Sequence, residues 1–388
     1  MKKNDILKIH GTDYKQMTIL LLEAADLASL IGSRRARIAL KPNVLGTVTP
    51  EEGATTHTEL VCGAIEYLQE RGFSDITIME GAWVGDNTHS AYRLLGYYGI
   101  AERYGVTLLD LQKDKSVSCS GHGMKIHVCR SALETDFMIN IPVLKGHCQT
   151  GVTCAMKNMK GVIPNSEKRR FHTLGLHKPI AHLNTIVRND FILVDNICGD
   201  LTFEEGGRPT VMDNILAFRD PVLCDAYTCG VVGCSVSSVG YIGLAERLGV
   251  GSVDLSGARI IDLNREPVPH SGDSSGERTG GAAFAGPRGC RGGSADAPVS
   301  ARVSGLSAYT VPREACSACY GYLLRALETL DEEGLLREGL PGIAIGQGYR
   351  GQCGEIGVGK CTAGCGRHLE GCPVKPEDIV RFLKEEWL

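Results

Sequence analysis

Residues 36–81 read ARIALKPNVLGTVTPEEGATTHTELVCGAIEYLQERGFSDITIMEG, and their order decides the fold class. ARIALKPN (36–43) is an apolar, branched run that ends near a proline, as a buried strand does. TTHTELVCGAIEYLQERG (55–72) has apolar residues at helical spacing, opens on threonine and stops at Gly72. SDITIMEG (74–81) is the next strand. Working outward, HSAYRLLGYYGIAERYG (89–105) predicts a further helix. VTLLDLQ (106–112), TDFMINIPVLK (135–145), FILVDNIC (191–198) and NILAFRD (214–220) predict more strands. Strands alternating with helices of this length imply an α/β fold, a mainly parallel sheet with helices on both faces. Ligands of such sheets sit at the carboxyl ends of the strands, so KPN, MEG, PVLKGH and DNICGD are expected along one rim.

The alternation ends near residue 265. Glu266 to Ser307 is dominated by Gly, Ser, Ala and Pro, too poor in apolar surface for a core. The expected organisation is an α/β domain over 1–264, a Gly/Ser-rich linker or loop over 265–309, and a cysteine-rich segment over 310–388. Cys290 lies in the linker and is a weak ligand candidate. The tail predicts a helix (YGYLLRALETLDEEG), short strands (GIAIGQG, EIGVGK) and a final helix (PEDIVRFLKEEWL), with no internal repeat in the chain.

The totals exclude several classes. With 41 Lys+Arg against 45 Asp+Glu there is no global basic field, so no nucleic-acid partner is expected. No apolar run approaches the ~20 residues of a membrane-spanning helix, and MKKNDILKIHGTDYKQ has no apolar stretch like a secretory signal. A cytoplasmic protein without a membrane partner is expected. Sixteen cysteines are many for that compartment, where thiols stay reduced and clustered ones bind metal or do chemistry.

The clustering is in the tail. CSAC (316–319) stands directly before a helix, where two thiolates three residues apart can bind one centre and the helix N-terminus favours an anionic cluster. Cys353, Cys361, Cys365 and Cys372 follow, flanked by glycines that let backbone amides approach cluster sulfides. Core packing does not explain six cysteines in one Gly-rich segment. Zinc remains open, because His368 can complete a set with the one CxxC pair, and so do redox thiols. By contrast, Cys224, Cys229 and Cys234 fall on an apolar helix and read as core.

KPNVL, PVLKGH followed by GVTCAMKNMKGVIP, LVDNICGD, and a tail with CSAC, VGKC and GCP together resemble the uncharacterised "domain of unknown function 362" family of iron–sulfur centre proteins. The resemblance spans nearly the whole chain except the Gly/Ser-rich segment. It implies cluster ligands at Cys316, Cys319, Cys361 and Cys372, ahead of Cys353 and Cys365, and hence a 4Fe–4S cluster. The sequence departs from the family in having Cys372-Pro373-Val374 where a double proline usually follows the last cysteine, and in carrying extra cysteines.

On the rim, Lys41, Asn43, Lys145, His147, Lys157 and Lys160 gather cations where strands end, which suits a small anionic substrate. GVTCAMKNMKG is expected to be a helix or turn beginning near Gly151. Lys145, His147, Lys157 and His172 are the candidate proton-moving groups; Lys41, Asn43, Thr153, Asn158, Lys160 and Asp195 are the candidate substrate contacts. Asp195 or Asp200 is expected to orient a histidine base. There is no GxGxxG, P-loop or CxxxCxxC string. The expectation is an iron–sulfur oxidoreductase, served by a redox partner protein, with a homodimer as the default. A non-catalytic electron carrier, or a lyase or isomerase with a structural or Lewis-acid cluster, stands as the alternative.

Overall fold

The computed structural model describes residues 1–265 and 301–387; Cys290 and most of the Gly/Ser-rich stretch lie outside them. The strands are β1 (Asp5–His10), β2 (Ile38–Pro42), β3 (Ile76–Glu80), β4 (Thr107–Asp110), β5 (Ser116–Gly121), β6 (Met124–Cys129), β7 (Phe137–Ile141) and β8 (Lys145–His147). They continue with β9 (Gly151–Thr153), β10 (Phe191–Asp200), β11 (Pro209–Phe218), β12 (Arg259–Asp262), β13 (Thr310–Pro312), β14 (Ile343–Ile345), β15 (Ile356–Val358) and β16 (Arg367–Leu369).

Eight of these make one sheet in the order β12-β1-β11-β10-β7-β2-β3-β4. Every pairing is parallel except the two made by β11. The reason is local: β11 follows β10 through a short link with no room for the crossover helix that parallel strands need. Both faces are covered, as the near-continuous apolar runs require. Ile38 and Leu40 point to one face, against the helices Tyr14–Ala24 and Thr58–Glu70. Ala39 and Met79 point to the other, against the helices His177–Leu183, Pro221–Val232 and Gly240–Arg247.

Several expectations change in detail. The helix over 89–105 is two, Thr88–Leu94 and Tyr97–Tyr104, because Gly96 turns left-handed (φ 75°) between them. The GVTC stretch begins as a strand: β9 pairs with β8, Lys145 opposite Thr153, and the short helix Ala155–Asn158 follows. Residues 301–307, inside the span expected as linker, form a helix that buries Val303 and Leu306 in the tail core.

The tail does contain an internal repeat, contrary to the sequence reading. A strand and a 3-10 turn, Ile343–Ile345 with Gln347–Tyr349, recur as Ile356–Val358 with Lys360–Thr362. These strands lie in a four-stranded parallel sheet, β13-β14-β15-β16, that packs against the helices Ser317–Glu332 and Pro376–Trp387. The shared core includes Cys148 and Phe203 from the α/β part, so the tail is seated on the rim.

Candidate functional site

Parallel strands end together, so β2, β3 and the turn after β7 deliver their last polar residues to one place. Lys41 is fully buried and its ammonium meets the Glu80 carboxylate. Burial pulls the Lys41 ammonium down and pushes the Glu80 carboxyl up, each opposed by its partner. Gly161 has to be glycine here: a Cβ would fall 1.8 Å from Glu80 Oε1 and 2.6 Å from Lys41 Nζ. Lys168 Nζ donates to the carbonyls of Gly81 and Ala82, both at 2.8 Å.

Beside this pair runs a chain of amides. Asn43 Nδ2 donates to Asn158 Oδ1 at 2.7 Å, and Asn158 Nδ2 to Asn140 Oδ1 at 2.7 Å. Lys145 Nζ donates to the Ala54 carbonyl at 2.6 Å and to Asn43 Oδ1 at 3.3 Å. Burial lowers Lys145 to about 7.

A second buried ion group sits opposite. Glu204 Oε2 lies 2.7 Å from Lys157 Nζ and 2.6 Å from His147 Nε2, although the imidazole contact is off the hydrogen-bonding direction. Burial would raise the Glu204 carboxyl, but His147 and Lys157 outweigh it and hold it well below the usual range. Its neighbour Glu205 goes the other way: burial and the Glu204 charge keep it protonated. His147 Nδ1 accepts the backbone N–H of Gln149 (2.9 Å) and Thr150 (3.1 Å), which assigns the ring proton to Nε2, and burial lowers its pKa to about 4. His172 is likewise held neutral by burial and by Lys160, whose ammonium is 3.4 Å from His172 Nε2.

These groups enclose a solvent-open cleft of about 650 Å³. Of the predicted residues, Asn43, Lys145, Thr153, Lys157, Asn158, Lys160 and His172 line it. Lys41 and His147 stand behind it, reaching it through Glu80 and Glu204. Asp195 does not join them: its carboxylate takes the backbone N–H (2.7 Å) and Nδ1 (2.9 Å) of His57, a residue the sequence reading passed over. Asp200 is spent on the backbone of Thr202, Phe203 and Arg208, so neither aspartate orients His147 or His172. Glu80, Lys168, Glu204 and Trp83 were also missed. Glu80 had a signal, since it ends β3 on the same rim as Lys41; Glu204 sits in a loop and had none.

The opposite wall is the first turn of the helix Ser317–Glu332, with Cys316, Ser317 and Ala318 in the lining. Cys316 also borders a second, smaller cavity, lined by Cys319, Cys361 and Cys372 together with Gly346, Gly359 and Gly371. β15 and β16 each end three residues before a cysteine, Cys361 and Cys372, and β13 ends four before Cys316; the parallel sheet thus aims these thiols at one point. Burial raises the Cys316 and Cys319 thiols, Cys319 to about 12, and the neighbouring sulfurs add to it. Four thiols facing one cavity fit a cationic metal centre that would take them as thiolates. Cys353 is exposed and Cys365 is buried against Ala344 and Tyr349; neither borders this cavity.

Among the described residues the one trio of metal-type donors within 4.8 Å of each other is Cys154, Cys224 and Asp225. Asp225 is occupied by the backbone N–H of Ala155 (2.7 Å) and Met156 (3.2 Å), and burial raises it to about 7. Cys224 and Cys229 are core residues of their helix, while Cys234 lies just past its end and is partly buried.

Residues 38–230 match the model of the family described as Domain of unknown function (DUF362). The DUF362 segment carries every lysine, histidine and glutamate of the cleft but none of the tail cysteines. The chain is also similar to the thylakoid-associated protein sll1697 of Synechocystis, 22% identical over 174 residues, 41% of this chain and 54% of that protein. It thus spans about half the length of that relative. Among solved structures, the lactate racemase apoprotein of Thermoanaerobacterium thermosaccharolyticum aligns with a TM-score of 0.39 and 13% identity, covering 58% of this chain and 57% of that one. A Thermotoga maritima structural-genomics protein aligns at 0.37 and 15%, covering 57% and 60%. No helix among the described residues is long and apolar enough to cross a membrane.

Proposed function

We propose that the protein is an iron–sulfur enzyme of the cytoplasm, holding a 4Fe–4S cluster on Cys316, Cys319, Cys361 and Cys372 and acting on a small anion in the lysine-lined cleft. The observation that carries this reading is that Cys316 borders both cavities, so cluster and substrate would share one wall. A tetrahedral zinc site with Zn–S of about 2.3 Å sets its sulfurs only about 3.8 Å apart. No three of these four sulfurs come within 4.8 Å of one another, which favours a larger centre. The N-terminus of the Ser317–Glu332 helix, which the Cys316 side chain does not cap, and the glycines around the cavity suit its negative charge.

When bound, such a cluster would supply electrons one at a time, from a separate redox protein. The chain's own residues then have two tasks. The lysines and Asn43 hold the anion, and Lys160 with neutral His172 moves a proton at the substrate. A fixed electron carrier would need no such cleft. The test is anaerobic purification with iron, sulfide and zinc assays and EPR before and after dithionite. About four irons and four sulfides per chain with a signal on reduction is the expected result; zinc without sulfide sinks the reading.

A further inference from the structure

The charged groups around the cleft do not balance. Two of its lysine–carboxylate contacts are closed pairs, Lys41 with Glu80 and Lys157 with Glu204. Lys145, Lys160 and Lys168 remain, and among the described residues each hydrogen-bonds only to neutral groups: carbonyl oxygens, an amide oxygen or the His172 imidazole. All three line the same cleft. A buried ammonium with no carboxylate in hydrogen-bonding contact is costly, and Glu80 and Glu204, already paired, act on these three only at longer range, so the opening suits something negative from outside. Thr153, 2% exposed, lines the cleft too, and its Oγ1 has no hydrogen-bond partner among the described residues.

From this imbalance we infer the substrate class: the cleft takes a small dianion, a dicarboxylate or a phosphate, held by Lys145, Lys160 and Lys168, with Thr153 hydrogen-bonded to one of its oxygens. This rests on the reading of the cleft as the substrate site. A monoanion would leave more than one of the three ammonium groups uncompensated, and a neutral ligand all of them. Burial lowers Lys145 to about 7 and Lys168 to about 8, and the more distant carboxylates Glu204 and Glu80 only partly oppose it.

The test is calorimetric titration of the anaerobically purified full chain with succinate, malonate, inorganic phosphate and acetate at constant ionic strength. At least one dianion is expected to bind tenfold or more tightly than acetate. Preference for a dicarboxylate or for phosphate then names the source of the charge. Dianions that bind no better than acetate overturn the inference, and this comparison needs no variant. Lys160→Met and Lys168→Met should each weaken the preferred dianion at least tenfold while acetate binding falls less; unchanged dianion binding in both overturns the assignment. Iron and sulfide are assayed on the same samples. Missing dianion binding with the cluster intact defeats this inference alone, and dianion binding without iron defeats only the cluster reading.

Discussion

Ser317 Oγ donates to Gln149 Oε1 at 2.7 Å, and the same glutamine returns a bond from Nε2 to the Ala315 carbonyl at 3.0 Å. This one side chain ties the turn after β8 to the start of the helix that carries Cys316 and Cys319, and so fixes how the thiol cavity faces the cleft. Gln149→Leu should lower stability by about 1–3 kcal/mol, because Ser317 is left buried without its partner. Urea unfolding checks the magnitude. Retained cluster absorbance lost faster in air would show that the joint, rather than the ligands, has loosened.

Cysteine variants separate ligands from bystanders. Cys319→Ser, Cys361→Ser and Cys372→Ser should each lose most of the iron, whereas Cys353→Ser and Cys365→Ser should keep it, since neither borders the cavity. Iron and sulfide content per chain is the readout. Iron retained in all of the first group would move the centre elsewhere.

Glu204 is the hub of its ion group, so its loss strands a buried ammonium. Glu204→Leu should destabilise by roughly 3–5 kcal/mol, and adding Lys157→Met should recover much of that, because a buried pair replaced by apolar groups is close to neutral. The double-mutant cycle in urea measures the coupling.

Stability should also follow pH. Lys145 and Lys168 titrate near 7 and 8 in the folded chain but near 10.5 once unfolded. Above about pH 7 these two groups therefore hold more protons in the unfolded chain, and their contribution to stability rises with pH, opposed by Glu205, which keeps its proton only in the folded chain. The rise should stop near pH 8.5, where unfolded thiols ionise while buried ones such as Cys129, pushed up to about 12, do not. Unfolding midpoints of the anion-free protein and of Lys168→Met from pH 6.5 to 9 test this; a slope between 7 and 8 that is no more positive in the parent chain than in the variant would contradict it.

A packing contact gives a further substitution. Gly321 lies where a Cβ would stand 1.5 Å from Glu205 Oε1, so Gly321→Ala must push the helix or the carboxyl aside. A loss of about 1–3 kcal/mol is expected in thermal or urea unfolding, against little change for Gly305→Ala, which meets open space.

The α/β alternation was legible because strand and helix periods are local: Ile38, Ala39 and Leu40 announce a strand buried on both faces without reference to anything distant. The break at Gly96 and the strand at Gly151–Thr153 were not, since one depends on a backbone angle and the other on a partner strand. The tail repeat escaped because its unit shares only small apolar positions, Ile343 with Ile356 and Gly346 with Gly359, and only the sheet shows them stacked.

The lysines and tail cysteines were visible as residue types at strand ends and in Gly-flanked turns. Their partners were not. Glu80, Glu204 and Trp83 come from separate strands and loops, and no spacing in the chain encodes that they meet Lys41, Lys157 and the first turn of a helix more than a hundred residues further on. The sequence by itself determined the fold class, the cationic rim and the set of candidate thiols, because composition and short periods suffice for these. Only the tertiary structure decided that Cys316, Cys319, Cys361 and Cys372 share a cavity, that Asp195 belongs to His57, and which lysines lack a counter-charge. Convergence of that kind is set by how parallel strands stack and where the tail docks, and those are long-range relations that a local pattern does not carry.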